Sequence, residues 1–282
     1  MGQDRIHRAV SDDGTEIAGR VYGQGPPLVL VHGSMADGEM DWGEMLPLLT
    51  DRFTCYLPSM RGRGLSGDHP DLSRQARVRD VTAFVDSIGE QVGLVALSAG
   101  GMLALGAAPR TSAVNALAIY EPVVFEAMSP DVYARFRDVV VRMAEAAEEG
   151  RAAEAAGTFL ELIANDDEQA VLAEDSEGLE LVARYLPLDL EEFREAIEFI
   201  EFNGPSPTDP SVLTEITVPV LLLHGSRTAL DWFTEGVRYV ADHVHNARVR
   251  EIAGAGHLGP IVQPEPVARE LIHFLDAAQQ AA

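Results

Sequence analysis

The chain has 282 residues, 46% of them hydrophobic, and sets 21 basic against 45 acidic side chains for a formal charge of −24. That composition suits a globular protein with a sizeable core, and so acidic a chain argues against nucleic acid or an anionic membrane as a partner. No apolar run reaches the roughly 18–20 residues that span a bilayer, the opening MGQDRIHRAVSDDG lacks the apolar stretch of a signal peptide, and the single cysteine, Cys55, excludes an internal disulfide, so a cytoplasmic location is expected.

Residues 16–22 read as a strand, and 28–31 as a short apolar strand ending at His32-Gly33. Residues 53–57 form another apolar run, followed by a Gly-rich turn over 61–67. A helix is expected over 78–88, a strand over 92–97, a small-residue helix over 99–108 and a strand over 116–120. Short continuous apolar runs separated by helices predict a mostly parallel, doubly wound α/β sheet covered on both faces. From about 125 to 200 the pattern is helical throughout, with helices over 133–147, 152–165, 177–185 and 191–201, until Gly204-Pro205-Ser206-Pro207 breaks it. Strands return at 218–223 and 247–252, and a helix over 267–278 closes the chain. The expected organisation is a core of residues 1–122 and 211–282 with a helical cap, 123–210, inserted between two strands.

The chemistry concentrates around Ser98. An apolar strand runs into it, and Ala99-Gly100-Gly101 lead out into a helix. A serine on so tight a strand-to-helix turn sits in strained backbone and projects its hydroxyl above the sheet. Its neighbours two positions away must be small, and they are Ala96 and Gly100. Read in isolation, the same serine could merely cap the helix. The segment resembles the nucleophile elbow G-x-S-x-G of α/β-hydrolases, with Ala96 in place of the first glycine. In that family the loop after the third strand supplies one oxyanion-hole amide and the residue after the nucleophile the other. The resemblance therefore assigns the oxyanion hole to the backbone amides of Ser34, in His32-Gly33-Ser34-Met35, and of Ala99. His32 is expected to support that loop.

Of the eight histidines, His257 stands out. It lies between the last strand and the last helix in Gly254-Ala255-Gly256-His257, which matches the family's Gly-x-Gly-His segment. A neutral imidazole there can take the serine proton and return it to a leaving group. No HExxH or similar spacing occurs, so no metal is expected, and no cofactor.

The histidine needs an acceptor on its other nitrogen, and here the sequence departs from the family. Many members carry an aspartate three residues past a glycine after the seventh strand; in His224-Gly225-Ser226-Arg227-Thr228 a threonine takes that place. Two replacements are visible. Glu121 directly follows the strand 116–120, where zearalenone lactonases, which this sequence resembles in that respect, also have a glutamate. Asp231 is the alternative. Glu121 is favoured because a strand end is better fixed than a longer loop, although a structural salt bridge to an arginine would also explain it. A second departure is Ser59, in Pro58-Ser59-Met60-Arg61-Gly62-Arg63-Gly64, where an aspartate is common; that segment is read as a fold-defining turn.

What the resemblance implies is a cofactor-free serine hydrolase, cleaving an ester or lactone of a hydrophobic small molecule through an acyl-enzyme. Two rivals stand beside it: non-hydrolytic or carbon–carbon-cleaving use of the same site, and an inactive ligand-binding relative. The second gains if neither carboxylate reaches His257. The sequence leaves the oligomeric state, a homodimer included, open.

Overall fold

The computed structural model describes residues 5–174, 176–202 and 204–281. The first four residues of the N-terminal segment, positions 175 and 203 of the expected cap and the final residue lie outside them. Eight strands form one sheet: β1 (Arg5–Val10), β2 (Glu16–Gly23), β3 (Pro27–Val31), β4 (Thr54–Pro58), β5 (Val92–Leu97), β6 (Val114–Tyr120), β7 (Val220–Gly225) and β8 (Ala247–Ile252). Their spatial order is β1-β2-β4-β3-β5-β6-β7-β8. β2 pairs antiparallel with β1 and β4, and the rest of the sheet is parallel.

Strands β3, β5 and β6 are buried almost throughout, which is why they read as unbroken apolar runs. Their side chains alternate between two cores: Val29 and Val31 face one, Leu28 and Leu30 the other. β1 went unforeseen. It is an edge strand whose residues are mostly exposed, so no apolar run announces it.

The longer helices are α1 (Arg74–Ser87), α2 (Ala99–Ala107), α3 (Pro130–Glu148), α4 (Ala152–Ile163), α5 (Asp166–Glu174), α6 (Ser176–Ala183), α7 (Leu186–Phe202), α8 (Asp231–His243) and α9 (Pro264–Ala281). α5 and α8 were not singled out in the sequence. None of the described helices is long and apolar enough to cross a membrane. Ser73 caps α1, and Ser129 caps α3 with Pro130 at its first position, a sequence-coded start in each case.

Helices α3–α7 lie between β6 and β7 and bring their own apolar cluster, into which Met35, Trp232, Phe233 and Leu258 of the flanking loops and α8 also pack. Buried charges fasten this insertion to the rest. Arg63, in the turn after β4, binds Asp189 of α7 at 2.7 Å and Glu192 at 3.2 Å, and Arg77 of α1 binds Glu192 at 2.8 Å. The turn read from sequence as fold-defining thus also carries the anchor of the insertion.

The β5–β6 register places Leu97 opposite Tyr120, so Ser98 and Glu121 leave adjacent strands side by side. Gly100 packs where a Cβ would stand 2.3 Å from the His32 carbonyl oxygen. Gly100→Ala should therefore lower unfolding free energy in urea by about 2 kcal/mol or more. Gly157→Ala, on α4 with nothing within 4 Å of the added methyl, should raise it by about 0.5–1 kcal/mol through helix propensity.

Candidate active site

Ser98 connects β5 to α2 with φ 55° and ψ −122°, backbone that an L-residue adopts only under constraint. The constraint is visible: the Ser98 amide donates to the Tyr120 carbonyl at 3.0 Å, while its own carbonyl accepts from Gly101 at 2.9 Å and Val123 at 3.1 Å. It does not act as a side-chain cap of α2. Its Oγ lies 3.1 Å from Nε2 of His257 instead.

His257 is buried and held on every side. Its ring stacks on Phe233 with centroids 3.7 Å apart. The Tyr120 hydroxyl donates to the Gly256 carbonyl at 2.6 Å. The next amide, Leu258, donates to Glu168 of α5 at 2.8 Å. A Cβ on Gly256 would fall 2.3 Å from Asn165 Nδ2 and 2.4 Å from Glu168 Oε2, so the glycine is there to admit the insertion against the histidine loop. Glu168 went unnoticed in the sequence, one acidic residue among 45.

Nδ1 of His257 meets Glu121 Oε2 at 2.7 Å. Glu121 is fully buried, starts from φ 45° at the end of β6, and its other oxygen accepts from the Gly225 amide at 2.8 Å and from the Thr228 hydroxyl. Its ion-pair partner among the described residues is this histidine and not an arginine. Asp231 is exposed at the start of α8, and the histidine's Nδ1 is already taken by Glu121. Thr228, which cannot carry the charge itself, serves as a donor to the carboxylate that does.

The loop after β3 turns at Met35, whose φ is 63°. His32 braces it: its Nε2 accepts from the Met60 amide at 2.9 Å, so its Nδ1–H donates to the Gly33 carbonyl at 2.7 Å. Burial drives the His32 pKa down to about 4, which keeps that tautomer neutral. The amides on either side of Ser34 are engaged, Gly33 with Asp41 Oδ2 at 2.7 Å and Met35 with Asp189 Oδ1 at 2.9 Å. The Ser34 and Ala99 amides have no acceptor among the described residues, and both residues line the cavity beside Ser98. Two amides at a helix N-terminus and a constrained loop can receive an oxyanion there.

The cavity has two lobes that meet at Ser98, Ser34, Phe159 and Ile163. The larger, about 240 Å³, is walled by aliphatic side chains such as Met40, Leu160, Leu179, Val182 and Ile261, and His257 and Asp41 open onto it. The smaller, about 50 Å³, is aromatic and ends in Arg74, Arg77, Glu192 and Glu195.

Burial pushes the Asp41 carboxyl up to about 7 from an ordinary 3.8, against the opposing pull of the Gly33 amide. A carboxyl that is harder to ionise in the folded chain costs stability as pH rises from the unfolded value to the folded one, and the cost is constant above that. Asp41→Asn should accordingly match the wild type near pH 3 and exceed it by about 2 kcal/mol or more at pH 8 in urea titrations. Glu121→Gln should fold normally yet lose about 10³–10⁴ in kcat on any substrate the wild type turns over, because the His257 tautomer is no longer fixed.

Known proteins identify the family. The Alpha/beta hydrolase family model matches residues 28–270. Pyrrolizixenacetamide deacetylase of Xenorhabdus hominickii is 36% identical over 75 residues, a match spanning 27% of this chain and only 27% of that protein. The 2-hydroxy-6-oxo-6-(2'-aminophenyl)hexa-2,4-dienoic acid hydrolase of Metapseudomonas resinovorans is 23% identical over 96% of this chain and 91% of its own. The crystal structure of an alpha/beta hydrolase from Sphaerobacter thermophilus superposes with a TM-score of 0.72 at 28% identity, covering 95% of this chain and all of that one. With a match over most of its length and the eight-stranded sheet that goes with it, the chain belongs to the alpha/beta hydrolase family.

Proposed function

We propose that the protein is a serine hydrolase that cleaves a carboxylic ester or lactone of a hydrophobic small molecule through an acyl-enzyme. The observation that carries this is the unbroken series Ser98 Oγ, His257 Nε2, His257 Nδ1 and Glu121 Oε2, with links of 3.1 and 2.7 Å, beside two amides that lack an acceptor among the described residues.

Ser98 Oγ adds to the carbonyl carbon as its proton passes to His257 Nε2, and the carbonyl oxygen becomes an oxyanion between the Ser34 and Ala99 amides. Collapse expels the alcohol, which takes the proton from His257. Water, deprotonated by the same imidazole, then cleaves the acyl–Ser98 ester and releases the acid. Glu121 holds the ring in the tautomer with its proton on Nδ1 and stabilises the imidazolium. Each oxyanion donor is worth about 2.7–4 kcal/mol of barrier lowering in such sites.

The aliphatic walls of the larger lobe favour an apolar substrate. The dienoic acid in the name of the Metapseudomonas relative suggests carbon–carbon hydrolysis as a second reading. Against it, among the described residues the larger lobe presents no lysine or arginine to a substrate carboxylate and presents Asp41 instead, and the two arginines of the smaller lobe are already paired with Glu195 and Glu192. The reading as an inactive binding relative loses its ground, since a carboxylate does lie within reach of His257.

The test is hydrolysis of short and medium p-nitrophenyl esters by the wild type and Ser98→Ala. Turnover in the wild type that falls by about 10⁴ or more in the variant is the expected result. Equal rates in the two would refute Ser98 as the nucleophile.

A further inference from the structure

Among the described residues six carboxyl side chains are buried: Asp41, Asp80, Glu121, Glu168, Asp189 and Glu192. Five have a donor on each oxygen. Asp80 takes Arg61 on both, Asp189 takes Arg63 on both, and Glu192 takes Arg63 and Arg77. Glu121 has the donors given above, and Glu168 has the Asn165 and Leu258 amides. Asp41, on the short helix Gly38–Trp42, is the exception. Its Oδ2 accepts from the Gly33 amide at 2.7 Å, but its Oδ1 has no donor among the described residues.

That oxygen is not sealed in. The buried side-chain atoms left without a partner are Ser11 Oγ, Trp42 Nε1, Arg74 Nη1, Arg77 Nε and Glu195 Oε2, and Asp41 Oδ1 is not among them. Asp41 is only 6% exposed and borders the larger lobe, so its free oxygen opens there. A Cβ placed on Gly33 would stand 3.1 Å from Ser98 Cβ and 3.5 Å from Asp41 Oδ2. Carboxyl and nucleophile are thus close enough for one carbon atom to touch both.

A buried carboxylate without a counter-charge costs stability. The Gly33 amide does not require it, since an uncharged asparagine would supply the same acceptor. The charged groups that face Asp41 are Asp37, Arg63 and His257. Asp37 repels it and is occupied by the helix start and the Tyr185 hydroxyl. Arg63 is held by Asp189 and Glu192, and His257 by Glu121. The positive charge must therefore come with the ligand. A neutral donor would fill the hydrogen bond and leave the charge unmatched among aliphatic walls.

His257 opens onto the same lobe and not onto the smaller one. The leaving alcohol must stand where His257 protonates it, so the alcohol half of the substrate meets Asp41. We propose, on the premise of the acyl-enzyme chemistry above, that the substrate is an ester whose otherwise apolar alcohol half carries a protonated amine, received by Asp41.

The experiment compares three butanoates: the 3-(dimethylamino)propyl ester, a cation; its uncharged isostere, the 4-methylpentyl ester; and the 4-hydroxypentyl ester, a neutral donor. At pH 8 the wild type should favour the cationic ester over the isostere by about tenfold or more in kcat/KM. Burial raises the Asp41 carboxyl to about 7, and it must be ionised to pair. The ratio should therefore fall as pH drops below 7, by up to about tenfold per unit, and be level above it; His257 serves both esters and cancels. Asp41→Asn should bring the ratio to about one at every pH. A preference that survives Asp41→Asn is general attraction to the acidic chain and overturns the subsite. Calorimetry on Ser98→Ala at pH 8 gives the comparison without turnover, with the cationic ester bound about tenfold tighter than the isostere. Equal kcat/KM for the cationic ester and the isostere, with equal Kd on Ser98→Ala, overturns the subsite and leaves the reaction standing. Preferential binding of the cation on Ser98→Ala with no hydrolysis of any ester by the wild type overturns the reaction and leaves the subsite. A hydroxylated ester that matches the cationic one overturns the assignment of charge.

Discussion

The contact on which the site depends is the one between Glu121 and His257. Burying a carboxylate is expensive unless donors replace the water it loses. Glu121 has three: the imidazole, the Gly225 amide and the Thr228 hydroxyl. They come from two segments other than its own, so the carboxylate fixes the end of β6, the turn after β7 and the loop after β8 relative to one another. The same three segments decide where His257 Nε2 points, and hence whether it lies within 3.1 Å of the Ser98 hydroxyl. The sheet supplies the rest of the precision. Because Leu97 and Tyr120 are paired in register, Ser98 and Glu121 leave neighbouring strands together, both with positive φ.

The helical insertion is wired into the same apparatus. Asp189 of α7 accepts from the Met35 amide, one residue past Ser34, and from Arg63. Glu168 of α5 accepts from the Leu258 amide, one residue past His257. An insertion that only roofed the cavity could be held by its apolar cluster alone. Two carboxylates reaching the residues after Ser34 and after His257 make the geometry of both loops conditional on the insertion being seated. Removing one partner of so buried a contact leaves a desolvated charge behind, which costs far more than the contact is worth in isolation.

The sequence carried those features that depend on local chemistry. Ser98 and His257 were legible because their tight turns need small neighbours, and Ala96, Gly100 and Gly256 supply them. The buried strands were legible because both their faces are apolar. β1 was not, since an exposed edge has no apolar run. Glu168 and Arg74 were invisible for a different reason: each acquires its meaning from a partner far along the chain, Leu258 for Glu168, 90 residues away, and Glu195 for Arg74, 121 residues away. Among 45 acidic residues nothing local separates a carboxyl at an active site from one on a solvated helix face.

The threonine in place of the usual aspartate and the glutamate at the end of β6 are one feature seen twice. Had Thr228 been an aspartate as well, two carboxylates would share one histidine in a buried site, and the repulsion would push one of them to hold a proton. A protonated acid there competes for Glu121 and no longer stabilises an imidazolium. A threonine avoids the second charge and keeps a donor in the vacated place, turned toward the relocated carboxylate. The move from the turn after β7 to the end of β6 therefore required a neutral donor in the old position as much as a glutamate in the new one. Glu121 with Thr228, rather than either alone, is the pattern to seek in a sequence that lacks the usual aspartate.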